Sequence, residues 1–120
     1  MNTETKTTVD LGLAMNQDDA RPTIVCLCGC GRFRQAFERA EFDETLAGKI
    51  VLTMGCNTHD IARSVELAHH KPQLDELHLR KIDLADEVFV LNVGGYIGES
   101  TARELAYALE HGKTVRMLEA

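Results

Sequence analysis

The sequence predicts a small three-layer α/β domain, and two observations carry that prediction. Short apolar, β-branched runs alternate four times with helical segments, and glycines stand at most of the junctions between them. Runs of this kind read as strands buried on both faces, and their alternation with helices implies a parallel sheet with right-handed crossovers. The 120 residues suffice for one domain and its core, not for two.

Residues 1–20 are polar, with Leu11, Leu13 and Met15 as the main apolar positions, and are expected to form a flexible arm before a single domain over 21–120. Thr23 to Cys28 (TIVCLC) is the first predicted strand, broken by Gly29-Cys30-Gly31. A helix is predicted from Phe33 to Ala47, with Phe33, Ala36, Phe37, Ala40 and Leu46 inward and Gly48 at its end. Lys49 to Met54 is the second strand and Gly55-Cys56-Asn57-Thr58 the turn after it. Ile61 to Ala68 reads as a short helical piece. His69-His70-Lys71-Pro72 is expected to interrupt it, because proline disfavours helix at the residue before. Gln73 to Ala85 follows as an amphipathic helix, with Leu74, Leu77, Ile82, Leu84 and Ala85 on its apolar side. Glu87 to Val93 is the third strand and Gly94 to Gly98 a glycine-rich loop. Thr101 to His111 is a helix with Ala102, Leu105, Ala106 and Leu109 inward, and Lys113 to Leu118 is the fourth strand. About four parallel strands with helices on both faces, in a flavodoxin- or Rossmann-like order, are therefore expected.

The net charge of −6 argues against a dedicated nucleic-acid surface, which needs clustered Lys and Arg. A small anionic ligand stays compatible, since one basic group and a helix N-terminus suffice to hold it. No apolar run approaches the roughly 20 residues that span a bilayer, and the polar N-terminus lacks a secretory core, so a cytoplasmic protein with free thiols is expected.

Ligands of such sheets bind outside the carboxyl ends of the strands. That rule selects the loops 29–33, 55–60 and 94–100. In the first, Gly29 and Gly31 permit close backbone approach, and Arg32 adds a fork-shaped charge beside the N-terminus of the next helix, ahead of Phe33. This reads either as an anion cradle or as a tight turn with an outward arginine. In the second, His59 stands within reach of a ligand. In the third, Tyr96 offers an aromatic face beside Gly94 and Gly95. Thr101 and Glu104 have capping-box spacing, which spacing alone favours; the other reading puts Glu104 in the cleft as an ionised nucleophile or base.

Cys26, Cys28 and Cys30 alternate and would share one strand face, but they match no zinc-motif spacing, so neither metal nor cofactor is expected.

The segment Lys81 to Leu118 (KIDLADEVFVLNVGGYIGESTARELAYALEHGKTVRML) resembles the nucleoside 2-deoxyribosyltransferase-like family, which includes N-glycosidases of nucleoside 5′-monophosphates. The parts that carry it are Ala85-Asp86, the strand Val88 to Val93, the loop Gly94 to Ser100, Glu104-Leu105-Ala106-Tyr107-Ala108 and Gly112-Lys113-Thr114-Val115. The loop Cys28-Gly29-Cys30-Gly31-Arg32-Phe33 is similar to the family's Cys-Gly-Ser-Thr-Arg-Phe, and the likeness extends over about residues 22–118. The resemblance implies that Glu104 attacks C1′ of the sugar and displaces the base, with water or a second base resolving the glycosyl intermediate. It implies that Gly29, Cys30, Gly31 and Arg32 bind the 5′-phosphate with help from Ser100. It places His78 where some members carry a sugar-orienting acid. Some members complete the site from a neighbouring subunit, which makes a homodimer the expectation.

Three functions compete on this reading. The first is cleavage or transfer of an N-glycosidic bond in a (deoxy)nucleoside or its 5′-monophosphate. The second is a non-catalytic nucleotide-binding module on the same fold. The third is a thiol-based redox or metal protein.

Overall fold

The computed structural model describes residues 21–56 and 61–120; the predicted arm over 1–20 and His59 lie outside the described residues. In chain order the elements are β1 (Ile24–Cys28), α1 (Arg34–Leu46), β2 (Ile50–Leu52), α2 (Ser64–Leu84), β3 (Glu87–Val90), α3 (Glu99–Glu110) and β4 (Thr114–Met117), with 3₁₀ turns at Ile61–Arg63 and Val93–Gly95. The four strands form one all-parallel sheet in the order β2-β1-β3-β4. The strand order reverses between the two central strands, with Cys26 opposite Val88 and Cys28 opposite Val90. A crevice is therefore due where β1 and β3 end.

Strand alternation divides the core in two. Val25, Leu27, Phe89 and Leu91 face one way and pack against Phe37 and Ala40 of α1. Cys26, Cys28, Val88 and Val90 face the other way, against Ile82 and Ala85 at the end of α2 and Ala108 of α3. Helices thus cover both faces, as the pattern predicts. Asp86 fastens the start of β1: Arg21 donates to its two carboxylate oxygens at 2.6 and 2.9 Å, and the Ile24 amide at 2.8 Å.

The helices depart from the sequence reading in three ways. First, α2 runs unbroken from Ser64 to Leu84 with Pro72 inside it. A proline there leaves the Ala68 carbonyl without its helical donor, but Ala68 is exposed and water can satisfy it. Second, α3 begins two residues early, at Glu99 with Gly98 at its N-cap, so Thr101 is buried inside the first turn and caps nothing. The capping box is ruled out as the role of Glu104. Third, the inward stripes are rotated. On α3 the buried residues are Thr101 and Ala108, with Leu105 packed between them, whereas Ala102, Ala106 and Leu109 face outward. Leu46, Leu77 and Leu84 are likewise exposed. Leu46 lies six residues past Ala40, about 120° around the helix from the face that packs on the sheet. No described helix is long and apolar enough to cross a membrane.

Candidate functional site

A cavity of about 270 Å³ opens at the carboxyl ends of β1 and β3, between the loop after β1 and the facing sides of α2 and α3. Its wall combines Gly29, Cys30, Gly31 and Arg32 from the first loop, Tyr96 and Ser100 from the third, His78 from α2 and Glu104 from α3. Eight of the sequence-predicted site residues thus meet at one place.

Each is positioned by a local cause. Gly29 is favoured by packing: a Cβ there would lie 3.2 Å from both Cβ and the carbonyl oxygen of Leu91, which would have to give by a few tenths of an ångström. The loop passes close to Leu91, just after β3, at this glycine. Phe33 is the N-cap of α1, and its side chain caps none of the first-turn amides. Arg32 lies 4.3 Å from the Tyr96 ring centroid and 5.0 Å from that of Phe33, and the two rings meet edge to face at 6.0 Å. Phe33 therefore acts behind the rim rather than in the lining.

Gly94 and Gly95 lie away from the cavity and are a correction to the predicted site. Both hold positive φ in the turn after β3, and the Gly94 amide donates to Glu119 Oε2 at 2.8 Å. Asn92 doubles that tie: its Nδ2 donates to the Glu119 carbonyl, and its Oδ1 accepts from the Glu119 amide, both at 2.9 Å. The glycine loop thus anchors the segment after β4.

The floor of the cavity is a cluster of titratable groups. His78 Nε2 stands 3.6 Å from Cys26 Sγ, 3.5 Å from Cys28 Sγ, 3.1 Å from the Leu27 carbonyl oxygen and 4.0 Å from Glu104 Oε1. The His78 and Glu104 side chains are only 7% and 13% exposed. Burial raises the Glu104 pKa, and the His78 charge and a Cys28 hydrogen bond oppose that rise without cancelling it. Burial pulls the His78 pKa down, but the contact with Cys26 and the charges of Cys26 and Glu104 outweigh it, and the net shift is upward. A hydrogen bond from Cys28 leads in holding the Cys26 thiol down at about 5, against its own burial, while Cys28 is pushed well above the thiol range.

Lys71, Asp75 and Leu74 also line the cavity and were not anticipated as site residues. Lys71 Nζ donates to the two Asp75 carboxylate oxygens at 3.1 and 2.8 Å and to Ser100 Oγ at 3.4 Å. The signal was present: Lys71, Asp75 and His78 recur at helical spacing, and treating Pro72 as a break hid it. Met54, Cys56, Gly98, Glu99 and Thr101 complete the lining from elements whose meeting no local pattern specifies.

No protein-family model matches the chain, and no curated protein matches it.

Proposed function

We propose that this cavity binds a (deoxy)nucleoside or its 5′-monophosphate and that Glu104 breaks the N-glycosidic bond. The observation that carries the reading is the place of Glu104, on the inward side of α3, well inside the helix and at the cavity floor. A carboxylate there is sheltered from water and free of any capping duty. In the proposed step a Glu104 oxygen forms a bond to C1′ as the C1′–N bond breaks. The departing base keeps the bonding pair and takes a proton from cavity water. Water or a second base then displaces Glu104, so configuration is retained over two displacements.

The rim suits the rest of such a substrate. The Arg32 guanidinium beside the start of α1 supplies a fixed positive charge and helical amides for a 5′-phosphate, with Gly29, Cys30 and Gly31 as loop contacts and Ser100 as a hydroxyl partner. Tyr96 offers a ring for a base or sugar to pack on.

A second reading, a nucleotide-binding module without catalysis, is favoured by one feature: burial raises the Glu104 pKa, which works against an ionised nucleophile. Free-base release from a panel of (deoxy)nucleosides and their 5′-monophosphates, with wild type and Glu104→Gln, separates the two. Release that is lost in a folded Glu104→Gln protein supports the glycosidase. Calorimetric binding of the same compounds with no release, with or without an acceptor base, supports the module.

A further inference from the structure

The glycosidase reading leaves two buried thiols without a task. Cys26 and Cys28 stand two residues apart on β1, so both side chains leave the sheet on the side of α2 and α3. Both are fully buried. His78 descends on them from α2, and the two sulfurs and a ring nitrogen of His78 all lie within 4.8 Å of one another.

These separations fit a tetrahedral metal centre. Zinc bonds thiolate sulfur at about 2.3 Å and imidazole nitrogen at about 2.0–2.1 Å, which at tetrahedral angles sets S···N edges of about 3.5–3.6 Å. The cluster already has edges of 3.5 and 3.6 Å. Its donor set, two sulfurs and one imidazole, is that of a soft or borderline cation and not of magnesium or calcium. Three protein donors would leave one position, and the carboxylate that faces it is Glu104, whose Oε1 is 4.0 Å from His78 Nε2.

We propose that Cys26, Cys28 and His78 form a zinc-binding site just beneath the cavity. Zinc takes both sulfurs as thiolates, so uptake releases any thiol proton they still carry. It also requires His78 to carry its remaining proton on Nδ1, so that Nε2 exchanges its contact with the Leu27 carbonyl for the metal. The cysteine spacing matches no zinc motif because the third donor comes from a different element, some fifty residues on in the chain. The site shares His78 with the proposed nucleotide cavity, but its sulfur and imidazole geometry stands without the glycosidase reading.

The test is optical and needs no activity. Reduced, chelator-treated full-length protein is titrated with cobalt chloride and then with zinc chloride. The expected result is one equivalent of cobalt with a thiolate-to-cobalt charge-transfer band and tetrahedral visible absorption, bleached by zinc. Cys26→Ser, Cys28→Ser and His78→Asn should each weaken binding by at least about tenfold, as loss of a direct ligand exceeds typical outer-shell effects. Cys56→Ser should keep the band. Zinc should also raise the melting temperature of wild type and not of His78→Asn, a variant at the cavity wall that spares the strand. Absence of the band in wild type overturns the proposal. So does a band that survives in both β1 serine variants and disappears in Cys56→Ser, which marks adventitious metal on the exposed thiol.

Discussion

His78 on α2 and Glu104 on α3 face each other across the cavity floor, with Nε2 and Oε1 4.0 Å apart and both side chains almost out of solvent. Two polar groups are kept there only where partners surround them. Cys26 and Cys28 lie beneath the ring, the Leu27 carbonyl beside it, and the cavity above. The pair joins the cavity to the helix packing that supports it.

Arg32→Ala should weaken binding of a 5′-monophosphate and leave that of the unphosphorylated nucleoside nearly unchanged. Arg32 is an exposed rim group held by aromatic contacts, so its removal costs little stability. A charge-assisted hydrogen bond is worth about 1.5–3 kcal/mol, roughly a 10- to 100-fold rise in Kd or KM. Calorimetry with both ligands reads the difference; an equal loss for both would remove Arg32 from phosphate recognition.

Gly29→Ala should destabilise the fold. The new methyl would meet Leu91 Cβ and the Leu91 carbonyl oxygen at 3.2 Å, and the backbone carbonyl cannot yield as a flexible side chain would. Overpacking of this type costs about 1–3 kcal/mol. Urea unfolding measures it, and an unchanged midpoint would contradict the tight passage of the loop over β3.

Pro72→Ala should stabilise the protein. Alanine restores the amide that the Ala68 carbonyl lacks, within an exposed stretch of α2 where no core packing depends on the ring. A proline inside a helix costs about 3 kcal/mol against alanine, partly offset by the freedom alanine adds to the unfolded chain, so a gain of about 1–2 kcal/mol is expected. A fall in melting temperature would show that the proline holds α2 in a shape the fold needs.

Acid should loosen the junction between Arg21 and β1. Hydrogen bonds from Arg21 and then from the Ile24 amide hold the Asp86 pKa down from 3.8 to about 2. A carboxylate with a lowered folded-state pKa contributes stability that is fully present above its unfolded pKa and is lost as pH falls through the folded value. The contribution should therefore fade between about pH 4 and pH 2. Its size is small, because both side chains are more than a third exposed and water screens them. Asp86→Asn should flatten the wild-type stability profile over that interval; an unaltered slope would assign the acid response to other carboxyls.

The strands were legible because the signal is local. TIVCLC, KIVLTM, EVFVLNV and KTVRML are short and β-branched, and each contains a strand of the parallel sheet. The three ligand loops followed from the same pattern, since the carboxyl end of a parallel strand is where the next connection begins. The helices were less legible. Pro72 reads as a break by local preference, yet α2 continues past it, because its exposed turn tolerates the missing bond and packing of the later turns favours helix. Thr101 reads as a cap by its spacing to Glu104, yet the helix starts upstream and puts both residues on its inner side.

Local sequence pattern set the order of elements, the all-parallel sheet and the end of the sheet where the cavity opens, because hydrophobic period and glycine placement act over a few residues. Which polar side chains gather at and beneath the cavity depends on long-range packing. Cys26, Cys28, His78 and Glu104 come from a strand and two helices, and their meeting depends on how α2 and α3 rotate about their own axes as they pack against β1 and β3. A few tens of degrees of that rotation turn a residue from solvent to core, and the burial of Ile82, Thr101 and Ala108 sets it.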